Sequence, residues 1–141
     1  MDIRLMTMDD FEQVHALWSV TDGVQPHPVD NNRETMERYI RRNPTSVFVA
    51  VDDDGERVIG VILCGHDGRR GYIYQLAVAE DKRGHGIGTA LVNKGVKALK
   101  AEGIGRVGLF VLVDKQITIN YWEKMGWEAK HFMTFRLKDI D

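Results

Sequence analysis

One junction constrains this chain more than any other: Gln75-Leu76-Ala77-Val78-Ala79-Glu80-Asp81-Lys82-Arg83-Gly84-His85-Gly86-Ile87-Gly88-Thr89-Ala90-Leu91. Strand-forming residues run into a glycine-rich turn, after which Ile87, Ala90, Leu91, Gly95, Ala98 and Leu99 recur at helical spacing. A strand must therefore turn sharply into a helix. The first N–H groups of such a helix have no acceptor within it and sit at the positive end of its dipole, so the turn is suited to hold a phosphate. Glycines at 84, 86 and 88 keep Cβ atoms from standing between amide and anion, and Arg83 adds positive charge at the rim. Two familiar phosphate loops do not fit. No Gly-Lys-Ser/Thr tripeptide follows, and counting GxGxxG from Gly84 or Gly86 puts Thr89 or Leu91 at the third glycine.

The remaining elements follow from pattern and punctuation. Ile3 to Met6 reads as a strand, and Thr7 with Asp10 resembles a capping box before a helix reaching about Val20, with Phe11, Val14, Leu17 and Trp18 on its apolar face. The stretch 22–31, with Pro26 and Pro28, is the longest loop, and a helix with Met36, Tyr39 and Ile40 inward ends at Pro44. Val47 to Val51 and Val58 to Cys64 form a hairpin across Asp52-Asp53-Asp54-Gly55. A further strand spans Gly71 to Val78, with Tyr72, Tyr74, Leu76 and Val78 on one face by simple alternation. Arg106 to Val113 reads as a buried strand, Gln116 to Met125 as a helix stopped by Gly126, and Trp127 to Leu137 as a final strand or hairpin arm. Three consecutive hairpin-linked strands argue against a doubly wound fold. The expectation is an α+β arrangement, a mixed central sheet flanked by helices, in one domain over residues 1–141.

Composition narrows the class of partner. A formal net charge of −2 with 28% charged residues and no Lys/Arg run disfavours nucleic acid. Cys64 is the single cysteine and lies in an apolar run, which excludes an internal disulfide and a CxxC metal site and suits a small buried hydrophobe. No signal-peptide pattern and no apolar stretch of membrane-spanning length is present, so a cytoplasmic protein is expected.

The combination Arg83-x-x-Gly86-x-Gly88 after a Leu-Ala-Val strand end, the element order and the late segment Tyr121-Trp122-Glu123-Lys124-Met125-Gly126-Trp127 resemble the GNAT superfamily of N-acetyltransferases over the whole chain. The resemblance implies acetyl-coenzyme A as co-substrate. Its diphosphate would rest on the amides of Arg83, Gly84, His85, Gly86, Ile87, Gly88 and Thr89, and its pantetheine arm would lie beside the main chain of Leu76, Ala77 and Val78. That pairing needs an open sheet edge, which this fold obtains at a bulge that splays two strands apart. The same amides would hold an oxyanion at the acetyl carbonyl.

The family's proton donor, a tyrosine four residues before the glycine of the last helix, falls on Trp122, and an asparagine seven positions earlier falls on Lys115. Tyr121 is the alternative acid, with Trp122 and Lys115 left to line the cofactor site. The base candidates are Tyr72, Tyr74, Gln75 and Glu80; only Glu80 is an ordinary carboxylate base, and a water chain is an equal alternative. His85 reads as a solvent-facing filler. The implied reaction moves acetyl directly to a primary amine of a small molecule or peptide, with selectivity set by the 22–32 loop and the last strands. A non-catalytic acyl-coenzyme A binding module is the other reading, prompted by Trp122 and Lys115. The Trp127 to Leu137 arm offers a route to a homodimer.

Overall fold

A computed structural model of the chain describes residues 1–24 and 26–140; Gln25, inside the long loop, and Asp141 lie outside the described residues. The chain divides into two compact units, Met1–Phe110 and the segment from Val111 onward. The first carries strands β1 (Asp2–Leu5), β2 (Val47–Val51), β3 (Val58–His66), β4 (Gly71–Val78) and β5 (Val107–Leu109), and helices α1 (Phe11–Ser19), α2 (Arg33–Arg42) and α3 (Ile87–Ala101). The strands lie side by side in chain order. β1 to β4 pair antiparallel and β5 joins β4 parallel, the crossover that a parallel pair requires being supplied by α3. The expected mixed sheet is thus present.

β2 is buried along its whole length and β3 over all but its last residue, which explains why both are apolar at consecutive positions and do not alternate. α3 packs on one face, where a Cβ added to Gly95 would sit 2.3 Å from Cys64 Sγ. The absent side chain lets the helix approach the sheet. Cys64 is fully buried, and burial pushes its thiol up to about 12, as suits a core residue and not a nucleophile. On the opposite face, a Cβ on Gly65 would meet the Tyr39 hydroxyl of α2 at 2.4 Å.

β4 departs from simple alternation. Its register with β3 shifts between the pairs Ile62↔Leu76 and Cys64↔Ile73, so β4 holds one extra residue at Tyr74-Gln75. Tyr72, opposite Gly65, lies on the α2 face, whereas Leu76 and Val78, opposite Ile62 and Gly60, lie on the α3 face. The expected common face for Tyr72, Tyr74, Leu76 and Val78 is therefore corrected: a bulge resets the parity of every side chain beyond it.

The local signal before α1 holds, and α2 carries a cap that the sequence reading did not single out. Asn32 Oδ1 caps α2 through Thr35 N–H at 3.0 Å. Asp10 accepts from Thr7 N–H at 2.9 Å and takes Arg4 through two bonds of 2.8 Å. Burial alone would raise the Asp10 carboxyl; the Arg4 guanidinium and the Thr7 amide outweigh it and hold it below the ordinary carboxylate value.

The second unit contains α4 (Gln116–Lys124), closed where Trp127 N–H reaches Trp122 C=O at 2.9 Å and Gly126 takes φ +89°, as its glycine implied. Two expectations are corrected. No strand forms over Trp127–Leu137, because apolar composition makes a strand only where a neighbour supplies hydrogen bonds, and no ladder partner exists among the described residues. The strand expected over Arg106–Val113 shrinks to Val107–Leu109 and is half-buried, since it pairs on one side only, with three residues of β4.

Gly95→Ala should lower stability by about 2 kcal/mol through overpacking against Cys64. Cys64→Ala in that background should recover part of the loss, giving a coupling of about 1 kcal/mol or more in a denaturant double-mutant cycle. Asp10, with its folded pKa depressed, contributes stability that is present above the unfolded value of about 3.9 and fades as pH falls through the folded value. Asp10→Asn should therefore cost about 2 kcal/mol at neutral pH, and the gap from the parent should narrow in melts from about pH 5 to about pH 3.

Candidate active site

The outward edge of β4 is the starting point. Ala79 N–H bonds Ile59 C=O at 2.8 Å, so by strand alternation the polar groups of Ala77 also face β3, and those of Leu76 and Val78 point the other way. On that side β5 pairs β4 only from Gly71 to Ile73. Beyond Ile73 no strand meets the edge among the described residues, so the N–H groups of Leu76 and Val78 and the Leu76 carbonyl are left without a ladder partner. The Val78 carbonyl is taken by Arg83 Nε at 3.1 Å. The bulge at Tyr74-Gln75 sits where the pairing stops.

From Val78 the chain passes through Ala79, a 3₁₀ turn over Glu80–Lys82, and the glycine turn into α3. Gly84 and Gly86 take φ +80° and +81°, which L side chains adopt only with strain, and a Cβ on either would meet no protein atom within 4 Å. Gly88 is helical and would touch only Val78, at 3.7 Å. The first helical bond runs from Ala90 N–H to Gly86 C=O, so the amides of Ile87 and Gly88 precede it. Bare amides, open space and a helix N-terminus therefore coincide.

The turn is braced from the hairpin between β2 and β3. Arg57 makes two bonds of 2.8 and 2.9 Å to Asp81, and Lys82 reaches Asp52 at 3.4 Å. The Arg57 hydrogen bond pulls the Asp81 carboxyl down to about 2, so the brace stays charged across the physiological range. Sequence reading missed it, because its partners are 24 residues apart.

The structure places the other candidates as follows. Ile87 is buried, while Arg83, Gly84, His85 and Gly86 are exposed and Thr89 is half-buried in the first turn of α3. His85 Nδ1 lies 3.1 Å from Lys82 C=O, turned into its own loop. Glu80 is exposed at the head of the turn, four residues past Leu76. In the second unit, Lys115 is the residue before α4, Tyr121 is half-buried, and Trp122 is buried edge-on to Tyr121 and Trp127 at 5.1 and 5.3 Å.

The acetyltransferase (GNAT) family model matches residues 11–127, a span that includes the bulged strand edge and the glycine turn. The chain belongs to the GNAT acetyltransferase family. It is 34% identical over 141 residues to an acetyltransferase of Pectobacterium atrosepticum, covering 100% of this chain and 97% of that one. It is 38% identical over 131 residues to an acetyltransferase of Photorhabdus laumondii, 93% of this chain and 89% of the other. Among solved structures it resembles Ard1 from Thermoplasma volcanium, with TM-score 0.76 and 22% identity over 89% of this chain and 80% of that one. It also resembles a chain of the NatC complex bound to Gag peptide and CoA, with TM-score 0.73 and 25% identity over 89% and 84%. The GNAT chain described here is accordingly an acetyltransferase that uses an acyl-coenzyme A. Among the described residues no helix is long and apolar enough to cross a membrane.

Gly86→Val should weaken coenzyme A binding by at least about ten-fold, since a branched side chain both strains φ +81° and enters the space in front of the amides. Gly105→Ala, whose Cβ meets nothing and whose φ is ordinary, should leave affinity unchanged in the same calorimetric titration.

Proposed function

We propose that this GNAT enzyme transfers the acetyl group of acetyl-coenzyme A directly to a primary amine of a small molecule or peptide, and that residues 1–141 act as one catalytic domain. The observation that carries this reading is the unpaired outward edge at Leu76 and Val78 beside the bare amides of the Gly84–Gly88 turn. An extended amide-bearing arm can add to such an edge as a strand would, while a diphosphate meets the amides and the dipole of α3. A thioester carbonyl placed at the same edge would accept from main-chain N–H groups, which need no reorganisation as negative charge grows on oxygen. The family model spans both units, which supports a single working domain. The similarity to a chain whose complex holds a peptide and CoA favours an amine acceptor of peptide type.

Direct transfer fits the burial and raised thiol of Cys64, which rule that residue out as a carrier. An alkylammonium, with a pKa near about 10, must lose a proton before it attacks. Glu80, exposed at the head of the loop, is the carboxylate base candidate for that proton, with a water chain to solvent as the alternative. For the departing thiolate we assign the acid to Tyr121 on the family resemblance of its segment, since the neighbouring Trp122 indole has no such acidity.

Thiol release from acetyl-coenzyme A should appear with at least one member of a panel of n-butylamine, spermidine, Nα-acetyl-lysine amide and a tetrapeptide with a free N-terminus. Tyr121→Phe should lower kcat by about 10²-fold with coenzyme A affinity intact. Binding without release for every amine would contradict the proposal.

A further inference from the structure

The bulge in β4 does more than open an edge. Because it adds one residue, Tyr74 and Gln75, though consecutive, both project from the face that carries α2. Gln75 is a polar residue in an otherwise apolar and aromatic strand, and its Nε2 donates to Asn31 Oδ1 at 2.7 Å. Asn31, buried at the end of the long loop, has no freedom in this bond. Its Nδ2 already donates to His27 C=O at 3.1 Å and to Asp30 Oδ1 at 2.8 Å, and an amide oxygen turned toward those two oxygens would be repelled by both. Asn31 must therefore present its oxygen to Gln75, and Gln75 must present its NH2 to Asn31. The Gln75 Oε1 is left facing away from that bond, on a half-exposed side chain, with no donor among the described residues.

The face of β4 that carries Gln75 is otherwise aromatic next to it. Tyr74, 54% exposed, meets Tyr39 edge-on at 6.2 Å and Tyr72 at 5.9 Å, and Tyr39 is seated against Gly65. A locked hydrogen-bond acceptor beside tyrosine rings suits a group that offers N–H and positive charge, and Asp30 adds a carboxylate one hydrogen bond further on. Gln75 also immediately precedes Leu76, whose main chain forms the open edge. Its side chain stands roughly perpendicular to the sheet, so a nitrogen bonded to Oε1 would approach that edge from the α2 face.

We propose that Gln75 Oε1, fixed in orientation by Asn31, accepts a hydrogen bond from the incoming primary amine, with Tyr74 and Tyr72 walling the subsite. This rests on reading the Leu76–Val78 edge as the acyl-donor site. It links the long loop to the reacting nitrogen through one side chain.

The test is a split between substrates. With the panel amine turned over fastest, Gln75→Leu should raise KM for the amine by about ten-fold or more and leave the calorimetric Kd for coenzyme A within about two-fold. Asn31→Ala, which frees Gln75 to rotate, should raise the amine KM by a smaller factor, again without touching coenzyme A. Independently of turnover and of the variants, titrating n-butylammonium into the wild-type protein saturated with coenzyme A should shift the Gln75 side-chain amide resonances in a nitrogen–proton correlation spectrum. An unchanged amine KM in Gln75→Leu, a loss of coenzyme A affinity equal to the rise in KM, or an unmoved Gln75 resonance would each overturn the assignment. Failure of wild-type coenzyme A binding would instead reject the donor-site reading itself.

Discussion

Main-chain hydrogen bonding in β4 is the constraint from which the rest of the site follows. A strand deep in a sheet normally engages every N–H and C=O, because an unpaired polar group away from water costs about as much as a lost hydrogen bond. β4 satisfies this toward β3 on both sides of the bulge, but toward β5 only from Gly71 to Ile73. The extra residue at Tyr74-Gln75 is where the two demands part. Past it, Leu76 and Val78 offer their outward groups to whatever extended ligand lies alongside, and Arg83 takes up the one carbonyl nearest the turn. The open edge and the sheet defect are here the same feature.

Holding that edge in place requires rigidity on both sides of it. α3 lies tight on β3 because Gly95 lets it approach Cys64, and its N-terminus is thereby delivered beside the end of β4. The ion pairs from Arg57 and Lys82 tie the connecting turn to the β2–β3 hairpin, so the glycines supply conformation without leaving the loop slack. Opposite, the Asn31–Gln75 bond ties the 22–32 loop to the bulge. In the proposed site, the donor and acceptor sides of the reaction share a single strand segment, reached from its edge and from its α2 face.

What was legible in the sequence was local or periodic. The glycine turn, the apolar spacing of α3, the capping box of Thr7 and Asp10 and the stop at Gly126 each depend on residues within a turn of one another, and each is present. The bulge was expected only through family resemblance, because nothing within Tyr72–Val78 signals an extra residue; it arises from the register with β3, set by distant partners. The face assignment of Leu76 and Val78 failed for that reason. The Trp127–Leu137 segment failed differently. Phe132, Phe135 and Leu137 have strand-like composition, yet all are exposed, and composition cannot supply a pairing partner. For the candidate site, the conformation of the glycine turn was readable, while the orientation of Gln75 depends on side chains meeting across the fold.

The account stands on the claim that the outward amides of β4 and the first amides of α3 are the acyl-coenzyme A contacts. Residue-resolved amide hydrogen exchange with and without coenzyme A tests it most directly. Leu76, Val78, Gly86, Ile87 and Gly88 should become protected together on binding, while Ala77, already bonded toward β3, should change little. Saturating coenzyme A with no added protection at Leu76 and Val78 would contradict the account.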